Sequence, residues 1–164
     1  MPDAMVSTGN NKKRAASTHT CLFTLTDYDP DPVADEKLVS TIFDHFEKVT
    51  FFPQGLNDIA YLHSLPVFKT NKSRIDILPH DYKEFKAFIS AAHIAYIGTR
   101  LHSGIKCLQY GHEVMIVAID HRATEIAKDT HLPVCGRTNF AGMADWLSGK
   151  IFLTNHLLFP MNQY

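Results

Sequence analysis

The sequence predicts an α/β fold, a Rossmann-like three-layer domain built on a mostly parallel sheet. Three observations predict it. Strand-like runs alternate with helical runs along the chain, and most of the strand-like runs are continuously apolar, as strands covered on both faces require. The Asn-Gly and Asp-Gly pairs that mark tight hairpins are absent, which fits helical crossovers between parallel strands.

Each element follows from its own pattern. Cys21-Leu22-Phe23-Thr24-Leu25-Thr26 reads as the first buried strand, closed by Asp27 and the turn-rich Tyr28-Asp29-Pro30-Asp31-Pro32. From Val33 to Lys48, the residues Leu38, Val39, Ile42, Phe43 and Phe46 form a helical stripe. A short strand from Val49 to Phe52 stops at Pro53-Gln54-Gly55, and a short helix is expected from Asn57 to Leu65. Ile75 to Leu78 reads as a third strand, and Pro79 suits the first turn of a helix from His80 to Ala91. Then come a strand from His93 to Ile97, a helix from Arg100 to Tyr110, a strand from Val114 to Ile119 and a helix from Ala123 to Thr130. Beyond Arg137 the pattern weakens to one helix, Phe140 to Leu147, and an apolar stretch, Ile151 to Phe159. The expected organisation is a flexible polar arm over 1–19, one Rossmann-like domain over 20–150, and an apolar tail over 151–164 that packs on this domain or on another.

Composition narrows the function classes. The 164 residues are 45% hydrophobic and 20% charged, ordinary for a soluble globular domain. Sixteen Lys and Arg stand against 17 Asp and Glu, a net charge of −1, so no general positive field draws in nucleic acid and any anion site is local. Cys21, Cys107 and Cys135 are odd in number and widely spaced, which points to reduced thiols and a cytoplasmic location. None of the ten histidines forms a His-x-His or His-x-x-x-His pair with a carboxylate beside it, so no metal site is expected. No window approaches the roughly 20 apolar residues that span a bilayer, leaving only peripheral contact with a membrane face.

The chemistry concentrates in Gly98-Thr99-Arg100-Leu101-His102-Ser103, where a helix opens after a buried strand. Ligands of open α/β sheets bind beyond the carboxyl ends of the strands, where helix N-termini offer N–H groups to anions. Arg100 can grip a carboxylate or phosphate through two parallel hydrogen bonds. Because a cation at the positive end of a helix opposes the macrodipole, Arg100 needs an anion nearby, either a ligand or a surface Asp or Glu. His102 is a candidate because an imidazole is the side chain suited to serve as acid or base near neutrality; the alternative is that it simply packs at the helix start. Thr99 suits a helix cap, and Ser103 and Gly104 suit a close backbone approach to a ligand.

A second constellation, Asp120-His121-Arg122-Ala123-Thr124-Glu125, closes the next strand, and adjacent parallel strand ends face one crevice. Asp120, Arg122 and Glu125 are crevice candidates; the alternative is a cap at Asp120 and an ion pair between Arg122 and Glu125. Gln54 and Asp27 are further candidates because they follow the second and first strands.

Residues 96–109 and 116–134, with the Arg-Leu-His triplet at 100–102 as their most specific part, resemble the polysaccharide pyruvyl transferase family. Leu22 to Tyr28 and the Phe-Pro-Gln-Gly segment at 52–55 are similar to it as well, so the likeness covers roughly residues 20 to 137. The resemblance implies the carboxyl-terminal half of a GT-B type fold, with phosphoenolpyruvate as co-substrate and no cofactor. It assigns donor binding to Thr99, Arg100, Leu101 and His102, and makes His102 the general acid that protonates the methylene carbon. The product would be a pyruvate ketal on a sugar of a cell-surface polysaccharide, and the partners a sugar or lipid-linked saccharide acceptor, with an amino-terminal half domain or a second copy of the chain. Where family members often carry an arginine after the first strand, this chain reads Thr24-Leu25-Thr26-Asp27. Two alternatives stand beside this reading: a glycosyltransferase half using a nucleotide sugar, with Glu125 as a ribose ligand, and a non-catalytic interaction domain.

Overall fold

The computed structural model describes residues 20–149. The arm over 1–19 and the tail over 151–164 lie outside the described residues. The strands are β1 (Thr20–Thr24), β2 (Val49–Phe51), β3 (Ile75–Ile77), β4 (Ile94–Gly98), β5 (Glu113–Ala118) and β6 (Val134–Gly136). They form one sheet in the order β3-β2-β1-β4-β5-β6, with every neighbouring pair parallel. The order reverses between β1 and β4, where chain direction across the sheet switches. Such a switch point is where an open α/β sheet holds a crevice at its carboxyl edge.

The helices are α1 (Pro32–Phe43), α2 (Asp58–Ser64), α3 (Pro66–Asn71), α4 (Tyr82–Ala91), α5 (Leu101–Gln109), α6 (His121–Thr130) and α7 (Phe140–Leu147). Side-chain alternation along the central strands divides the core into two layers. Phe23, Ala95, Ile97, Met115 and Val117 face α1, α2, α3 and α7, where Leu38, Ile42, Leu62, Phe68 and Trp146 are buried. Leu22, Ile94, Tyr96, Val114 and Ile116 face the other way and meet Phe85 and Ile89 of α4 and Cys107 and Leu108 of α5. The sheet is therefore covered on both faces, as the apolar strand runs predict.

Several boundaries move for identifiable reasons. The first helix stops at Phe43, where Asp44, His45 and Phe46 turn back onto carbonyls of residues 40–42, although Phe46 is still buried. Pro79 precedes α4 instead of opening it, because Asp81 is the cap and accepts from the Lys83 N–H. The sequence reading contains neither α3 nor β6. Helix α3 begins at Pro66 directly after α2, and three-residue β6 follows Pro133 at a sheet edge, so neither is long enough to carry a periodicity. All three cysteines are free and buried, and burial pushes the Cys135 thiol up to about 11. Among the described residues no helix is long and apolar enough to cross a membrane.

Candidate functional site

A cleft of about 310 Å³ opens at the carboxyl edge of β1, β2, β4 and β5. It therefore sits at the switch point between β1 and β4. Thr26 and Tyr28 from the loop after β1, Gln54 after β2, Thr99 to His102 after β4, and Asp120 and Arg122 after β5 line it. Two glycines permit this arrangement by close packing. A Cβ on Gly98 would lie 2.3 Å from Thr24 Oγ1 and 2.7 Å from the Thr24 backbone nitrogen, so β1 and β4 meet only through glycine. A Cβ on Gly104 would lie 2.5 Å from Ile116 Cγ1, so this glycine seats α5 on the sheet instead of meeting a ligand.

The β4–α5 junction is held by hydroxyls. Thr26 Oγ1 pairs with Thr99 Oγ1 at 2.8 Å, and Thr24 Oγ1 pairs with the Tyr96 hydroxyl at 2.7 Å. Tyr96 also donates to the Arg100 carbonyl, and burial raises its pKa, so it remains a neutral phenol. The sequence expectation that Thr99 caps α5 does not hold: its hydroxyl is engaged with Thr26, and Arg100 stands at the cap position without a side-chain cap bond.

Arg100 finds its anion within the chain. Its Nη2 donates to both oxygens of Asp58, at 2.7 and 2.9 Å, and lies 3.4 Å from Asp27 Oδ1, while Nε donates to the Leu25 carbonyl. The Asp58 side chain is fully buried, whereas that of Arg100 is 19% exposed where it lines the cleft. Asp58 also accepts from the backbone N–H groups of Gln54 and Gly55, at 2.9 and 2.7 Å. One carboxylate thus ties the β2 loop to the mouth of α5. Asp27 does not line the cleft; it faces Arg100 from behind.

His102 lines the cleft, is exposed, and its side chain makes no hydrogen bond among the described residues. Ser103 is turned away from the cleft by a hydrogen bond to the Gln54 side chain. Asp120 caps α6 by accepting from the Arg122 N–H at 2.9 Å, the bond that chiefly lowers its pKa. Its carboxylate also accepts from Arg122 Nε and the Tyr28 hydroxyl, and Arg122 Nη2 reaches Tyr28 in turn. Glu125 lies outside the cleft lining and pairs with Lys128 at 3.3 Å, not with Arg122, whose guanidinium is already held by Asp120.

The structure thus brings Thr99, Arg100, Leu101, His102, Gln54, Asp120 and Arg122 together and leaves Asp27 and Glu125 out of the lining. Sequence reasoning missed Asp58, Thr26 and Tyr28. Asp58 carried a usable signal, an acid three residues after the glycine that ends a strand, the same positional rule that selects Gln54. Among the described residues no three His, Cys, Asp or Glu side chains converge to hold a metal ion. No family model matches the chain, and neither the curated proteins nor the solved structures contain a match to it.

Proposed function

We propose that this chain binds phosphoenolpyruvate in the switch-point cleft and transfers its pyruvyl unit to a pair of sugar hydroxyls of a polysaccharide. The observation that carries the reading is the arrangement around the start of α5: an exposed, uncommitted His102 beside the N–H groups of a first helical turn, with Arg122 across the cleft. Those N–H groups have no partner within their helix and favour anions. In this reading they and Arg122 receive the phosphate and carboxylate of the donor. Arg100, with Nη2 committed to Asp58, fixes the cleft floor, while Thr99 and Leu101 shape the wall.

His102 protonates the methylene carbon of the donor, and positive charge develops at the adjacent carbon. One sugar hydroxyl adds there, phosphate leaves by cleavage of its bond to that carbon, and a second hydroxyl closes the ketal. The atoms balance. The two hydroxyl protons end on the new methyl group, by way of His102, and on the departing phosphate.

Calorimetric titration of phosphoenolpyruvate into the chain tests the donor step. Saturable binding is expected, weakened about tenfold or more by Arg122→Gln through loss of a charge-assisted contact. Absence of binding, or equal binding by the variant, overturns the proposal. Arg122 is the better probe because it is exposed, whereas removing Arg100 leaves the buried Asp58 carboxylate without its cation.

A further inference from the structure

Behind His102, on the side away from Asp120 and Arg122, lies a second hollow of about 260 Å³ that shares only Gln54 and His102 with the first. Its wall is aromatic. Phe52 and Phe85 are buried and stacked, with ring centroids 4.5 Å apart, and Tyr82 tilts against Phe85 while remaining 53% exposed. Its rim is polar and uncommitted. Ser103 occupies the Gln54 carbonyl oxygen, which leaves the Gln54 NH2 as a donor, and Lys106 and Gln109 make no side-chain hydrogen bond among the described residues.

We propose that this hollow binds a sugar ring of the acceptor, an assignment that rests on the pyruvyl-transfer reading. Two amides offer both donors and acceptors, the match for neighbouring hydroxyls that each donate and accept. The exposed Tyr82 ring, with the Lys86 ammonium 5.8 Å from its centre, gives an aromatic surface for the C–H side of a pyranose ring. A small anion would find one ammonium and a largely apolar wall. A nucleobase would need a slot between two rings, yet Phe52 and Phe85 are closed against each other. The placement also serves the chemistry, because this hollow and the donor cleft share His102.

The test is a ¹⁵N-resolved NMR titration of the whole chain with methyl β-D-galactopyranoside, methyl α-D-mannopyranoside and, separately, uridine. Saturable shifts of the amides of Tyr82 and of Ser103 to Gln109 are expected with at least one glycoside and not with uridine. Tyr82→Ala should weaken glycoside binding about tenfold while leaving phosphoenolpyruvate binding unchanged. Gln109→Ala provides a second variant should the first fold poorly, with the same split expected. Shifts confined to other residues, a response to uridine alone, or equal glycoside binding by both variants overturns the assignment. Glycoside binding without phosphoenolpyruvate binding would sink the donor reading and leave the sugar site standing, so the two failures are distinguishable.

Discussion

Arg100 and Asp58 form the central pair of the cleft, and their value depends on burial. Asp58 has no solvent to fall back on, and it satisfies two backbone N–H groups as well as the guanidinium. Asp58→Ala removes all of these acceptors and leaves Arg100 the Leu25 carbonyl and, as its anion, Asp27 at 3.4 Å. Breaking a buried pair from one side costs about 3 kcal/mol, so urea denaturation of Asp58→Ala should show a loss of that order. A variant as stable as the parent would mean that Asp27 and water replace Asp58 fully. Arg100→Lys should not restore the wild-type stability, because an ammonium cannot copy the fork that reaches Asp58 and the Leu25 carbonyl together. The need of Arg100 for an anion was legible in the sequence from its place at a helix start. Which anion meets it was not, because that depends on where α2 docks.

At the scale of elements, His112 joins three segments. Its Nε2 donates to the Ile89 carbonyl at the end of α4, its Nδ1 accepts from the Ile94 N–H at the start of β4, and it stands just before β5. Both bonds are made by the neutral ring with its proton on Nε2. A second proton would occupy the nitrogen that accepts from Ile94. Burial, opposed by the Ile89 bond and aided by the nearby His93, lowers the His112 pKa. The unfolded chain, with the ordinary value near 6.5, then binds the proton more readily than the folded one. This contribution to stability is therefore complete above about pH 6.5 and is lost as pH falls through the lower folded value. Urea midpoints measured between about pH 7.5 and 5.5 should fall for the wild type and fall less for His112→Gln. Parallel slopes would remove His112 from the account. The His93 position in the sequence suggested only a strand start; the partners of His112 come from the packing of α4 on the sheet.

At the scale of the molecule, one sheet serves two core layers, so neither layer can form without the strands that complete the other. Trp146, the one tryptophan of the chain, is fully buried in the layer with α1 and α7. Its fluorescence should therefore report the same unfolding transition as far-ultraviolet circular dichroism, as a two-state domain requires. An earlier fluorescence transition would show that α7 leaves the sheet as a separate unit. Gly98 and Gly104 act at this scale too, since they set how closely β4 approaches β1 and how closely α5 approaches the sheet.

By itself the sequence determined the fold class, the alternation of elements, and the carboxyl-edge positions of Gln54, Arg100, His102, Asp120 and Arg122. Periodicity and turn chemistry are local properties, and the rule placing ligands at strand ends needs nothing more. Only the tertiary structure decided the strand order, the switch point between β1 and β4, and the commitments of each side chain. It gave Arg100 to Asp58 and Thr99 to Thr26, and it left His102 uncommitted between two hollows. The physical reason is distance along the chain: Arg100 lies 42 residues from Asp58, and Thr99 lies 73 from Thr26. Pairings over such separations are set by how helices and strands pack, and no local pattern encodes them.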